Sequence, residues 1–251
     1  MSLIDMLIIG LVLFLPFFLL VILPMLLAYI YGNKSLIRAR ALYLDNFKSA
    51  SKKVFGNNSK ILLSRDSDKL HIMFNIKVDG EDYKVELNLV ERRTYAYYFA
   101  KMFGGIPDAV FLKCDLSKKP SAILYLVSRK RKKLIEKSSK YIYVLDEVNL
   151  GSLNRDILAL SDAPRYAIKY FNKDVLSDLR NILKDLNYIV VDTASPNLEI
   201  SLQISENNVK AAYMALKTIK DLRESVEKVR GKGKETDVMS YVRKILRTEK
   251  N

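Results

Sequence analysis

The sequence predicts an α+β protein: a single amino-terminal transmembrane helix followed by a cytoplasmic domain with a mixed or antiparallel sheet and packed helices. Three observations carry this. Residues 6–33 contain no charged side chain, whereas the chain from Lys34 onward has the charge density of a globular protein. Residues 70–89 alternate apolar and polar side chains around a two-residue turn, and residues 175–186 and 209–226 carry apolar side chains at helical spacing.

The first element is the anchor, residues 1–33. Within 7–31 all 25 residues are uncharged and 18 are Leu, Ile, Val or Phe. A helix of that length spans roughly 37 Å, more than a hydrocarbon core of about 30 Å. Tilt, or a bend at Pro16 or Pro24, absorbs the excess. A cleaved secretory signal needs a basic start and a shorter apolar run, but Met1 to Asp5 carries an acid and no base. Lys34, Arg38 and Arg40 follow the span, and only Asp5 precedes it. The positive-inside bias therefore predicts a single-pass protein of the cell membrane, amino terminus outside and residues 34–251 in the cytoplasm. Tyr29 and Tyr31 fall where an interfacial aromatic belt is expected.

Residues 34–55 read as a basic juxtamembrane helix with Leu36, Ile37, Ala41, Leu42, Leu44 and Phe47 as an imperfect apolar stripe. Gly56-Asn-Asn-Ser59 is the expected boundary of the folded domain. A β-rich half, 56–150, follows. Ile61–Ser64 is a short strand, and 70–78 and 83–89 form a hairpin around Asp79-Gly80, a pair suited to positive φ. Thr94 caps a short helix, Tyr95–Phe103, and strands are expected at 109–114, 122–127 and 141–145. An α-β-β-α half, 151–230, comprises a helix capped by Asn172, strands at 188–191 and 198–204, and a helix from about Glu206 to Val229. A basic carboxy-terminal helix or tail occupies 231–251. Whether the two halves form one domain or two lobes meeting near 150–161 is left open by the sequence.

Composition narrows the chemistry. The 251 residues include 42 Lys plus Arg against 28 Asp plus Glu, one Cys and one His. A single Cys excludes an intrachain disulfide and multi-Cys metal sites. No phosphate-binding loop, nucleophile elbow, zinc-protease or kinase signature is present, so no enzymatic activity, metal or cofactor is expected. His71 is expected at the surface and Cys114 in the core rather than as a nucleophilic pair. Adjacent Asp146 and Glu147 on a strand point to opposite faces and do not converge. The aromatic cluster Tyr95, Tyr97, Tyr98 and Phe99 is expected mainly to pack the core, with part left for a partner.

The basic run Arg129, Lys130, Arg131, Lys132 and Lys133 is the strongest charge feature. Together with Lys34, Arg38 and Arg40 it forms the candidate anion- or lipid-contact set, each cation near anionic lipid contributing about 1 kcal/mol. A solvated connection between strands explains the run equally well. The predicted function is a membrane-anchored binding or scaffold module: it contacts the lipid bilayer through 7–31 and positions a protein partner at the inner membrane face. The alternative is a membrane-tethered polyanion binder whose ligand is nucleic acid or anionic lipid.

Overall fold

The structure is a computed structural model, and it describes residues 12, 14–64, 67–68, 70–102, 107–129, 145–193, 197–205 and 209–229. The chain enters through a π-helical turn, Phe18–Ile22, that runs directly into α1, Leu23–Phe55. Pro24 has no N–H to offer the carbonyl of Leu20, and the wider turn ahead of it, closed by Leu23 N–H donating to the Phe18 carbonyl, accommodates the loss. The disturbance expected at Pro16 or Pro24 thus lies between them. The segments expected as anchor and juxtamembrane helix lie, among the described residues, on one helix, Phe14–Phe55.

The buried face of α1 is Ala28, Gly32, Leu36, Ala39, Tyr43, Phe47 and Ala50, in steps of three and four. This corrects the expected stripe. Ile37 is 63% exposed and Ala41 is exposed, while Leu36 and Phe47 alone of the six are fully buried. Small Ala residues allow close packing, and Tyr43 is acceptable inside because its hydroxyl has a partner. Leu36 to Ala50 belong to the main core, so the folded unit begins upstream of Gly56.

Nine strands form one antiparallel sheet among the described residues, in the order β1-β2-β3-β4-β9-β8-β5-β7-β6. They are β1 Lys60–Leu63, β2 His71–Val78, β3 Glu81–Asn88, β4 Asp108–Cys114, β5 Leu124–Ser128, β6 Asp146–Glu147, β7 Ile157–Ser161, β8 Leu186–Val191 and β9 Leu198–Ile204. The predicted hairpin closes at Val78↔Glu81, with φ of 48° at Asp79 and 86° at Gly80, as a type I′ turn requires. β4 and β9 pair from Asp108↔Ile204 to Cys114↔Leu198, which joins the amino- and carboxy-terminal strands in one sheet. β7 was not anticipated. All five of its residues are buried, so it lacks the alternation that betrays a strand. The expected strand at 141–145 lies, except for Leu145, outside the described residues, as does the basic helix or tail expected at 231–251.

Among the described residues four further α-helices follow α1: α2 Tyr95–Met102, α3 Pro164–Ala167, α4 Lys173–Ile182 and α5 Val209–Lys228. Asn172 caps α4 by accepting from Val175 N–H at 2.8 Å. α1, α4 and α5 share one core with the inward residues of the sheet, among them Phe74, Val85, Leu112 and Ile200. At the far end of α1, Phe55 stacks on Tyr83 at 4.7 Å, Lys220 donates to the Val54 carbonyl at 3.1 Å, and Arg223 donates to the Tyr83 hydroxyl at 3.2 Å. Those contacts fix α1 to β3 and α5. The outward face of β2, β3, β4 and β9 is polar and half-exposed, with a Lys113–Glu86 ion pair of 2.9 Å across it.

Candidate membrane interface

Contacts along α1 set the height of each sheet residue above the apolar end of the helix. Tyr43 meets Asp108, Phe47 meets Phe74 at 5.5 Å, and Phe55 meets Tyr83. The registers His71↔Asn88, Asn88↔Ala109 and Asp108↔Ile204 place these residues along one sheet edge. Through Tyr188↔Ser201 and Val127↔Tyr188 the same edge continues to Ser128. This edge faces the apolar end of α1.

The joint between helix and edge is a buried ion pair. Asp108 Oδ2 accepts from the Tyr43 hydroxyl at 2.8 Å and from Arg92 Nη2 at 2.5 Å, and Oδ1 accepts from Val90 N–H at 2.8 Å. Arg92 Nη1 also donates to Ser35 Oγ at 3.2 Å. Both charged side chains are 3% exposed. Taking two charges out of water costs several kcal/mol each unless geometry and further hydrogen bonds compensate; Tyr43 and Val90 provide those bonds. Burial, and then the charge of Asp108, push the Tyr43 phenol far above its ordinary range, so it remains a donor.

Below this joint the chain descends along α1. A Cβ on Gly32 would lie 2.0 Å from the Arg92 carbonyl oxygen and 2.6 Å from Arg93 Cα, so only glycine permits the approach. The Arg93 guanidinium lies 6.0 Å from the Tyr29 ring and is held by Glu91, whose Oε1 accepts from Arg93 N and Nε, both at 2.8 Å. Those hydrogen bonds hold the Glu91 carboxyl down at about 2. α2 begins at this level, with Tyr97 N–H donating to Thr94 Oγ1 at 3.4 Å, and it packs against α1. Contrary to the expected core role of its aromatics, α2 has no buried residue: Tyr95 is 61%, Phe99 58% and Met102 80% exposed. The steps of four and three between them put all three on one face.

On α1 itself the apolar side chains from Phe14 to Tyr31 are largely exposed, Leu20 to 78%. The helix is long and apolar enough to cross a membrane by length and composition. Lys34 and Arg38 are exposed just beyond Tyr31. Arg40 instead turns to the domain and donates to the Asp68 carbonyl at 2.7 Å. Arg129 lies at the same sheet edge but donates to the Asn154 carbonyl at 2.6 Å and pairs with Glu147 at 2.9 Å. Lys130, Arg131, Lys132 and Lys133 lie outside the described residues.

His71 and Cys114 stand at opposite ends of their strands, and burial pushes the Cys114 thiol up to about 12. Asp146 and Glu147 are both exposed on β6. Among the described residues no group of three or more His, Cys, Asp or Glu is placed to hold a metal ion. Sequence reasoning missed Gly32, Tyr43, Arg92 and Asp108. The one available signal was Gly32, a glycine inside a long helix, where a close backbone approach is the usual reason.

No family model matches the sequence, and no curated protein matches it. Among solved structures, the crystal structure of the mycobacterial trehalose monomycolate transport factor A, TtfA, is similar at 9% identity with a TM-score of 0.39, over 74% of this chain and 96% of that one.

Proposed function

We propose that this chain is a non-enzymatic, single-pass membrane protein whose α+β domain stands on the cytoplasmic face and holds a protein partner there. One observation carries the reading: the exposed apolar stretch from Phe14 to Tyr31 and the buried stripe from Leu36 to Ala50 lie on the same continuous helix. A flexible tether would let a domain tumble. A helix locked at Gly32, Tyr43 and Phe47 transmits the orientation of the anchor to the sheet.

From Tyr31 to Tyr43 the helix rises about 18 Å, which sets the height of the near sheet edge above the lipid. Exposed Lys34 and Arg38 support the cytoplasmic orientation. The surface offered to the partner is the outward sheet face, with half-exposed Met73, Asn75, Glu86, Phe111, Lys113 and Glu199. That Arg40 and Arg129 are engaged within the domain favours a protein over a polyanion.

The test is affinity purification of the tagged full-length chain from native membranes, beside a Phe111→Glu variant. A stoichiometric protein recovered with the wild type and lost from the folded variant supports the proposal. Recovery of nucleic acid that salt removes, or an equal yield from both chains, contradicts it.

A further inference from the structure

We infer that α2 is an interfacial helix, its Tyr95, Phe99 and Met102 face seated in the headgroup and upper acyl region of the leaflet from which α1 emerges. This rests on the anchor reading above and adds a second membrane contact to it.

Three observations converge. The first is height. The approach of Arg92 and Arg93 to Gly32, and of the Arg93 guanidinium to the Tyr29 ring, delivers the chain into α2 at the end of the apolar span. Exposed Tyr29, Ile30 and Tyr31 of α1 lie at that level. Aromatic rings with polar tips favour the membrane–water boundary.

The second is the face itself. Tyr95, Phe99 and Met102 lie on one side of a two-turn helix, and each is more than half exposed. Three large apolar side chains side by side in water form the kind of patch that monomeric domains keep small. Beside a span that already presents Tyr29 to Tyr31, they extend an apolar surface that the bilayer covers.

The third is composition. Lys101 is the one charged residue of α2, exposed near its end, where its long stem lets the ammonium reach the headgroups while its neighbours are immersed. Interfacial helices of this kind sit about 5–10 Å into the headgroup–acyl boundary. Crossing the membrane at α1 and lying on it at α2 gives the domain two contacts with one leaflet, which limits its tilt against the membrane plane.

The chain has no Trp, so one substitution introduces a sole indole. The full-length chain carrying Phe99→Trp is reconstituted into phosphatidylcholine–phosphatidylglycerol vesicles without bromines, or with bromines at shallow or at deep acyl carbons. Leu20→Trp, at an exposed site of the span, is the companion. For an indole in the upper acyl region, emission of Phe99→Trp falls about twofold with brominated lipid, shifts to the blue and resists iodide. If Leu20→Trp is quenched and Phe99→Trp is not, α2 lies off the bilayer and the inference is overturned while the anchor stands. If neither is quenched, the anchor reading itself falls. An indole shielded from iodide yet unquenched by bromolipid means that protein covers α2, which equally overturns the inference.

Discussion

Tyr43 on α1 and Asp108 at the head of β4, 65 residues apart, meet through a 2.8 Å hydrogen bond inside the protein. That bond, with Arg92 on the same carboxylate oxygen, makes the helix that carries the apolar span a structural member of the sheet domain.

Replacing Asp108 by Ala leaves the Arg92 guanidinium buried without its carboxylate. Loss of one member of a buried pair costs about 3–5 kcal/mol. Tyr43→Phe keeps the pair and removes one bond to a charged acceptor, worth about 1.5–3 kcal/mol. Denaturant unfolding of the full-length chain in detergent should rank Asp108→Ala as the more damaging change. The reverse order would mean that the joint is held by the tyrosine alone.

Gly32→Ala tests the close approach. At an ordinary helix position the change would stabilise by about 0.8–1 kcal/mol. Here the added methyl meets the Arg92 backbone, and overpacking typically costs about 1–3 kcal/mol. A lowered midpoint, with faster proteolysis after Arg92, Arg93 or Lys101, is the expected outcome. A stabilised chain would show that the 92–93 segment does not rest on α1.

Cys114 is buried at the end of β4, and desolvation holds its thiol at about 12. Since the thiolate is the reactive form, iodoacetamide at pH 8 should leave the native chain unmodified and alkylate it only on unfolding. Mass spectrometry reads this directly. Rapid alkylation under native conditions would contradict the packing of β4 against α5.

The Glu91–Arg93 pair has a pH signature. The folded carboxyl sits at about 2, below an unfolded value near 4.3, so the pair stabilises the chain above the unfolded value. That contribution fades as pH falls from about 4.3 toward 2 and is gone below the folded value. The stability difference between wild type and Glu91→Gln should therefore shrink across that window. A constant difference from pH 6 to pH 2 would show that the carboxylate charge plays no part.

The elements legible in the sequence were those with an undisturbed period. β2, β3 and β9 alternate, α4 begins at a side-chain cap, and the amino-terminal apolar run is long enough to stand out by length alone. β7 stayed hidden because Ile157 to Ser161 is buried on both faces and has no period. The buried stripe of α1 was misplaced because close packing selected Gly32, Ala39 and Ala50, which carry little hydropathy, and a Tyr whose polarity is satisfied only by a distant Asp. The joint was invisible for the same reason: Tyr43, Arg92 and Asp108 share no local pattern and meet only when the sheet forms. Of the basic residues behind the apolar run, Lys34 and Arg38 are exposed, whereas Arg40 turned toward Asp68 because its place on α1 brings it against the loop ahead of β2.

Protease accessibility on sealed membranes tests the central claim most directly, since the proposed function requires the domain to stand inside the cell on a retained anchor. Protease added outside intact cells should leave the fragment 34–251 whole, and the same protease should digest it in inverted vesicles, with the chain remaining in the membrane through an alkaline wash. Digestion of the domain from outside a demonstrably sealed membrane, or its release by the wash, would contradict the account.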